Sequence, residues 1–289
     1  MRVTFCGVRG STPAPGRPFV RYGGHTSCIA LARAGEPIRL LLDAGTGMQA
    51  VTPLIDGPYD GSVLLGHLHW DHTHGMPFFA AGGRSGHRVR VLLPRQGASA
   101  EALLQRCLSP PNFPIVPSQL GPGWSFEDID EGRLQLEGFE VLAREIPHKG
   151  GRTFGYRIEA DGGSVAYLSD HSPTSVGPGR DGLGERHEAA LELARGVDVL
   201  IHDAQHRQEE FPGVGYLGHA SVDYAVALGV EAAVGTVILF HHAPARTDDD
   251  IDVLLAASQN PGVKVIAAYE GLVLDCAAGS MLDSGDAGG

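Results

Sequence analysis

The 289-residue chain lacks any long apolar run. No stretch approaches the roughly 18 consecutive apolar residues that a membrane-spanning helix needs, and residues 1–30 hold no basic start followed by an apolar segment. We therefore expect neither a membrane span nor a signal peptide. Cysteine is also scarce, and Cys6, Cys28, Cys107 and Cys276 form no Cys-x-x-Cys pair. We expect reduced thiols in a cytoplasmic protein rather than a disulfide framework.

Positive charge is scarce as well. Lys and Arg number 22 against 34 Asp and Glu, which gives a net charge of -12. Binding of extended nucleic acid needs a basic surface that displaces counterions, so this balance argues against it. A small anionic substrate is still compatible with it if the pocket holds metal ions, because the ions would supply the positive charge.

Short apolar runs bounded by Gly, Pro or Asp alternate with helical patterns along the chain. The predicted strands are 2–7, 27–33, 38–45, 62–67, 88–94, 139–146, 153–160, 164–170, 197–204, 236–242, 263–270 and 271–276. The predicted helices are 46–53, 99–108, 185–195, 220–230 and 247–259. Early strands follow one another as in hairpins, and later strands alternate with helices. This mixture predicts an α/β sandwich of sheets and helices rather than one doubly wound sheet.

The length would allow two domains at about 150 residues each, but α/β chains of roughly 250 residues often fold as one unit. We expect a single domain over residues 1–276 and a frayed tail over 277–289, which is small and polar. The Pro- and Gly-rich segments 109–125 and 172–184 are predicted to be loops. We expect these loops to influence substrate specificity.

The segment "GHLHWDHTHG" packs four histidines and an aspartate into residues 66–75. In an extended segment His67 and His69 point the same way and can share one metal ion. Asp71 and His72 follow in the turn and can address a second ion. Imidazole and carboxylate ligands suit zinc, manganese or iron, and two ions about 3.5–4 Å apart can clamp a hydroxide. The alternative is a solvated histidine-rich loop.

Acids and histidines also stand at the ends of predicted strands: Asp43, His67, Asp170, Asp203 and His241. Strand ends that meet at one edge of a sheet are where α/β proteins build their sites. This pattern predicts that the five side chains lie near one another.

The spacing His67-x-His69-x-Asp71-His72, followed by Gly75, resembles the signature of the metallo-β-lactamase superfamily. Further family motifs appear in order: "LLDAGTG" with Asp43, "IPHKGG" with His148, "YLSD" with Asp170 and "LFHH" with His241. The resemblance covers nearly the whole chain. It implies the four-layer αββα sandwich of that superfamily.

The resemblance also implies a set of metal ligands. His67, His69 and His148 would hold one ion, Asp71, His72 and His241 the other, and Asp170 would bridge the two. Asp43 would buttress the metal loop. Of the adjacent pair at the end of "LFHH", we favour His241 as the ligand and expect His242 to lie just behind it.

Three further stretches, "TFCGVRGSTPAPG", "VLIHDAQH" and "GHAS", resemble the ribonuclease Z branch. That branch includes phosphodiesterases that act on small cyclic phosphates. The resemblance implies that His219 of "GHAS" meets the phosphate, where it could stabilise charge or give a proton to the leaving alkoxide. Asp71 would orient the nucleophile. The alternative for His219 is a helix-capping or core histidine.

Three other residues are weaker candidates. Asp203 could orient a ligand from behind, His25 could line the mouth of the pocket, and Lys149 could hold phosphate or be solvated. The chain lacks the long inserted arm with which ribonuclease Z holds the body of tRNA.

These observations predict a dinuclear metal-dependent hydrolase. We expect a phosphodiesterase that acts on a small substrate, such as a cyclic nucleotide, with a metal-bridging hydroxide. We expect two divalent ions, zinc first, with Mn²⁺ or Fe²⁺ as alternatives, and the family resemblance makes a homodimer reasonable. The alternatives are a tRNA 3′-processing endonuclease of the ribonuclease Z type, a thioester or lactone hydrolase, and a non-catalytic metal-bound sensor.

Overall fold

The computed structural model describes residues 1–276 and 280–282. In chain order the strands are β1 (Arg2–Gly7), β2 (Cys28–Ala32), β3 (Ile38–Leu42), β4 (Asp60–Leu64), β5 (Arg88–Pro94), β6 (Trp124–Ile129), β7 (Gly132–Leu136), β8 (Phe139–Glu145), β9 (Phe154–Ala160), β10 (Gly163–Leu168), β11 (Val199–Asp203), β12 (Thr236–Phe240), β13 (Lys264–Ala267), β14 (Val273–Asp275) and β15 (Ser280–Leu282). The helices are α1 (Met48–Val51), α2 (Ala100–Gln105), α3 (Glu188–Ala194), α4 (Phe211–Val214), α5 (Val222–Glu231) and α6 (Asp248–Ala257).

The strands form two mixed sheets. The order in one is β15-β14-β1-β2-β3-β4-β5-β6, and in the other it is β13-β12-β11-β10-β9-β8-β7. Neighbours pair antiparallel from β14 to β3 and from β7 to β10, and parallel from β3 to β6 and from β10 to β13. Hairpins and crossovers are therefore both present, as the sequence predicts.

Alternation along each strand divides its side chains between two cores. On β12, Ile238 and Phe240 enter the core between the sheets, whereas Val237 and Leu239 enter the core under the helices of the second sheet. Phe240 contacts Phe5 of the opposite sheet, with ring centroids 6.2 Å apart. Helices α3 and α5 cover the second sheet, and α1 and α2 cover the first. The four layers confirm the predicted αββα sandwich.

The unpredicted strands β6 and β7 lie at the edges of the two sheets. Their side chains are mostly half-buried or exposed, as in the exposed Arg133 and Gln135 of β7. Edge strands face solvent on more sides than central ones, so their sequences carry no continuous apolar run.

The predicted boundary at residue 276 falls between two paired strands. Ser280–Leu282, inside the segment expected to fray, pairs with Val273–Asp275. The rest of the predicted tail, 277–279 and 283–289, lies outside the described residues. No helix in the described part of the chain combines the length and the apolar character needed to cross a membrane. The four cysteines are free thiols.

Helix α6 begins with a capping box. The Thr247 hydroxyl oxygen accepts from the Asp250 amide at 3.2 Å, and the Asp250 carboxylate accepts from the Thr247 amide at 2.9 Å. Each contact satisfies an amide that has no partner inside the helix. The helix predicted over 247–259 therefore starts at a capping threonine.

Replacing Thr247 with Ala removes one half of this box. We expect Thr247→Ala to lower the free energy of unfolding by about 1 kcal/mol, measured by urea denaturation. Val253→Ala, on an exposed position of the same helix, is the matched control and should change it little. Equal stability of Thr247→Ala and wild type would show that the box does not hold the helix end.

Candidate metal centre

Polar side chains from both sheets meet at one end of the sandwich. Asp170, Asp203 and His241 stand at or just after the carboxyl ends of the parallel strands β10, β11 and β12. The "GHLHWDHTHG" loop follows β4 of the other sheet. In it, Trp70–His72 forms one turn of 3₁₀-helix. All seven predicted metal ligands are thereby brought together.

The first group consists of His67, His69, His148 and Asp170. One potential ligand atom from each lies within 4.8 Å of all the others. The Nε2 atom of His67 is 3.7 Å, and that of His148 is 3.4 Å, from Asp170 Oδ2. Three imidazoles and one carboxylate are a donor set that suits zinc.

The second group consists of Asp71, His72, His241 and Asp170, which are all buried and meet the same distance limit. Asp71 Oδ2 is 3.2 Å from His72 Nε2 and 3.0 Å from His241 Nε2. Asp170 Oδ1 is 3.0 Å from His72 Nε2 and 3.2 Å from His241 Nε2.

Asp170 therefore turns one carboxylate oxygen toward each group. Oδ2 faces His67 and His148, and Oδ1 faces His72 and His241. This is the geometry that a carboxylate bridging two ions needs. The assignment of Asp170 as the bridge stays a prediction.

The buried polar atoms fit the requirement for metal ions. Both ring nitrogens of His67 are buried and have no hydrogen-bond partner among the described residues, an arrangement that costs about 1–3 kcal/mol if nothing compensates it. Burial lowers the pKa of His67 well below its ordinary value. The neutral imidazole keeps the lone pair that a metal ligand must offer.

The environment of His72 shows that this end of the sandwich stabilises positive charge. Burial by itself would lower the pKa of His72, but Asp170 and Asp71 raise it well above its ordinary value. A proton on His72 and a metal cation beside it would each neutralise negative charge on Asp170 and Asp71. Binding of a divalent ion would therefore release this proton.

Asp43 fixes the orientation of His72. Asp43 Oδ2 accepts from His72 Nδ1 at 2.7 Å and from the Tyr167 hydroxyl at 2.6 Å, and Oδ1 accepts from the Gly66 amide at 2.7 Å. With its proton on Nδ1, His72 presents Nε2 to the carboxylates of the second group. The position expected to buttress the metal loop does contact it.

His148 is oriented in the same way from another part of the chain. Its Nδ1 donates to the Gly218 carbonyl at 2.7 Å, and its Nε2 faces Asp170. Gly218 immediately precedes His219, so this bond also links the first group of ligands to the "GHAS" segment.

The adjacent histidines at the end of β12 diverge. The backbone of His241 is left-handed, with φ 58°, which ends the strand and directs Nε2 to Asp71 and Asp170. His242 Nε2 instead donates to the Ala268 carbonyl at 2.9 Å. The His242 ring therefore turns away from both groups, and its expected place just behind the ligands stays a prediction.

His219 and Asp203 form a buried pair beside the first group. His219 Nδ1 donates to Asp203 Oδ2 at 2.9 Å. Burial by itself would lower the pKa of His219, but the charge and the hydrogen bond of Asp203 raise it to about 9. Asp203 also accepts from the amides of His171, Gln205 and Ala220. A carboxylate so fully hydrogen-bonded serves as an orienting group better than as a metal ligand.

A cavity of about 330 Å³ opens over these groups. It is lined by Ser11, Leu68, His69, Trp70, Asp71, Asp170 and His219. None of these lining residues is Lys or Arg, so the protein wall itself supplies little positive charge apart from histidine.

Two weaker candidates are not among these lining residues. His25 Nδ1 lies 3.2 Å from the Thr46 hydroxyl, and Lys149 Nζ donates to the Tyr216 carbonyl at 2.7 Å. The expectations that His25 lines the pocket mouth and that Lys149 holds phosphate stay predictions. Each side chain is engaged by a neighbouring loop instead.

Sequence reasoning missed three residues of the site. The Ser11 amide donates to Asp71 Oδ2 at 2.6 Å, and the side-chain amide of Gln205 lies 3.2 Å from His241 Nδ1. Trp70 lines the cavity. Ser11 and Gln205 are remote in sequence from the residues they contact, so only the folded chain reveals them. Trp70 sits within the metal motif, and its large apolar side chain between two ligands was an available signal.

Comparison with known proteins identifies the family. The family model "Beta-lactamase superfamily domain" matches residues 38–242, well over half of the chain. The chain belongs to this superfamily. The matched range begins with β3 and ends at His242, so it contains every predicted metal ligand.

Individual relatives span nearly the whole chain. Ribonuclease Z of Methanosarcina acetivorans is 26% identical and aligns with 95% of this chain and 98% of its own length. Among solved structures, the metallo-beta-lactamase fold protein YhfI from Bacillus subtilis has a TM-score of 0.69 at 17% identity, covering 94% of this chain and 98% of YhfI. A diphosphatase from the PhnP family has a TM-score of 0.67 at 18% identity, covering 95% and 97%. These likenesses confirm the superfamily fold.

The divergence of His241 and His242 gives a direct test of the second ligand group. We expect His241→Ala to reduce the metal content from two ions per chain to about one, because the second group loses an imidazole. His242→Gln, which keeps a side-chain donor, is the control and should retain both ions. Metal content of the purified, folded variants is measured by elemental analysis. Loss of an ion in His242→Gln but not in His241→Ala would reverse the assignment.

Proposed function

We propose that this protein is a dinuclear metal-dependent phosphodiesterase that acts on a small substrate. One observation carries the proposal: Asp170 turns one oxygen to each of two ligand groups, and a protonatable His219 stands beside them in the same cavity. The side chains His67, His69 and His148 would hold one ion and Asp71, His72 and His241 the other, with Asp170 between them. When bound, such ions supply positive charge to phosphoryl oxygens and lower the pKa of water.

Asp71 orients the attacking water in this proposal. Its Oδ2 accepts a hydrogen bond from the Ser11 amide at 2.6 Å. The carboxylate lies in the cavity wall, where it can accept a hydrogen bond from the water that attacks phosphorus. A fixed acceptor lowers the cost of bringing that water into line with the leaving oxygen.

His219 supplies the proton that the leaving alkoxide needs. Asp203 holds Nδ1, which leaves Nε2–H as the other donor. Its raised pKa keeps the imidazole protonated at neutral pH, and cations nearby would draw that pKa downward. In the reaction the water oxygen forms a bond to phosphorus and loses a proton to solvent, while the P–O bond to the leaving group breaks. The Nε2 proton moves to the departing oxygen, and neutral His219 regains a proton from solvent. Asp203 is a positioning residue because it acts through His219.

The charge of the cavity favours a diester over a monoester. Its wall contains two carboxylates, Asp71 and Asp170, and no Lys or Arg among the lining residues. A diester carries one negative charge, whereas a monoester carries nearly two at neutral pH. Two divalent ions, less the charges of Asp71, Asp170 and one hydroxide, would leave a single positive charge, which a diester balances. The similarity to a ribonuclease Z and to a PhnP-family diphosphatase supports phosphorus-oxygen chemistry in general.

A second candidate is precursor-tRNA 3′ processing. The relative from Methanosarcina acetivorans named ribonuclease Z aligns over 95% of this chain, which favours it. The net charge of -12 and the lack of Lys and Arg in the described cavity wall weigh against it, because tRNA binding relies on basic contacts. We therefore rank the small diester first.

Hydrolysis of bis(p-nitrophenyl) phosphate by the zinc- or manganese-loaded protein tests the proposal. We expect turnover by the wild type. Asp170→Ala should lose both metal and activity because both groups share this carboxylate. On a cyclic nucleotide, whose leaving alkoxide needs a proton, His219→Ala should retain two ions and lose about 10²- to 10⁴-fold in kcat, which is the usual contribution of a general acid. Full activity of His219→Ala would exclude His219 as the proton donor. No turnover by protein with both ions bound would refute the proposed phosphodiesterase activity.

Precursor tRNA separates the two candidates. The same preparation is incubated with a precursor tRNA and, separately, with 2′,3′- and 3′,5′-cyclic nucleotides. We expect cyclic nucleotides to be the better substrates. Efficient 3′ cleavage of the precursor with steep salt dependence would instead favour the endonuclease.

A further inference from the structure

Trp70 is exposed at the edge of the cavity. The residue is 67% accessible, although tryptophan is usually among the more buried residue types. It lies between His69 and Asp71 in the chain and lines the cavity with both of them. The fold therefore keeps a large apolar surface in solvent immediately beside the candidate metal centre.

The indole ring is held in place. It stacks on the His74 ring, with centroids 5.4 Å apart and an angle of 20° between the planes. The amides of Thr73 and His74 both donate to the Trp70 carbonyl, at 3.1 and 3.0 Å. With His74 on one face and two thirds of the residue accessible, the opposite face of the indole is open.

The fold gives no reason for a tryptophan here. The side chain of Trp70 makes no hydrogen bond among the described residues, and Trp70 belongs to none of the apolar clusters found there. Trp124, unlike Trp70, packs against the core of the first sheet. It also donates from Nε1 to the Gly82 carbonyl at 2.8 Å. An oriented, open aromatic face beside a site suits a planar ligand group.

We propose that Trp70 stacks on the base of the substrate, so that the preferred substrates of this site are nucleotide phosphodiesters. The inference rests on the proposed function. Base stacking on an aromatic side chain tolerates every base, because each has a π-face. The cavity of about 330 Å³ lies at the low end of the roughly 300–1,000 Å³ of small-molecule sites. It suits one nucleotide, with the phosphate at the candidate metal centre and the base over Trp70.

Tryptophan fluorescence tests the contact without any turnover. The chain has two tryptophans, so the emission of wild type minus that of Trp70→Phe reports on Trp70. We expect 5′-AMP to quench this difference signal in the metal-loaded protein and ribose 5-phosphate to leave it nearly unchanged. Trp124 should not respond in either case. Equal responses to the two ligands would show that the base is not on Trp70.

Steady-state kinetics test the consequence for specificity. For a nucleoside 2′,3′-cyclic phosphate we expect Trp70→Ala to raise KM by about tenfold to a hundredfold and Trp70→Phe to recover most of the loss. For glycerol 1,2-cyclic phosphate, which has no base, the rise in KM caused by Trp70→Ala should be much smaller than for the nucleotide. Metal content is measured in each variant. Val253→Ala, an exposed apolar residue on α6, is the control for loss of surface area.

The outcomes separate this inference from the proposed function. Hydrolysis of both diesters, with no effect of Trp70→Ala on either, would retain the phosphodiesterase and refute the stacking. Quenching by 5′-AMP without hydrolysis of any diester would retain the stacking contact and refute the phosphodiesterase. A change of oligomeric state in Trp70→Ala, with unchanged nucleotide binding, would assign Trp70 to an interface between copies of the chain and overturn the inference.

Discussion

The centre of this structure depends on one buried carboxylate. Asp170 has almost no exposure, yet five imidazole nitrogens from four other segments approach its two oxygens. An ionised carboxylate this deep is costly unless positive charge is paired with it. His72 meets part of that demand when protonated, and a pair of metal ions would meet it fully. The other ligands are arranged around this requirement.

The two-sheet architecture brings these segments together. Parallel strands β10, β11 and β12 end at the same edge of one sheet, which places Asp170, Asp203 and His241 side by side. The opposite sheet contributes the metal loop after β4. Tyr167 joins the layers, because its ring packs on Phe240 in the core and its hydroxyl donates to Asp43. A change in the spacing of the sheets would therefore move the ligands.

The sequence was informative where a short motif encodes the geometry. The spacing from His67 to His72 was enough to predict two neighbouring ion positions. It was less informative where a contact joins distant segments, as for Ser11 on Asp71, 60 residues away. The direction in which the His242 side chain points depended on the left-handed backbone of its neighbour, His241. Edge strands were missed because partial exposure removes the apolar run, while the buried strands kept theirs.

Reaction class and substrate choice depend on different parts of this site. The carboxylates and imidazoles deep in the cavity govern charge: two dications would carry four positive charges, of which Asp71 and Asp170 neutralise two. The surplus attracts an anion, but it cannot distinguish one diester from another, because every diester presents the same charge at phosphorus. Discrimination must come from the part of the substrate that extends beyond the phosphate. Leu68 and Trp70 are the apolar residues of the described cavity wall, and of these two only Trp70 offers a planar face. Under the proposed stacking, the exposed Trp70 in the middle of the metal motif links the chemistry to the identity of the substrate.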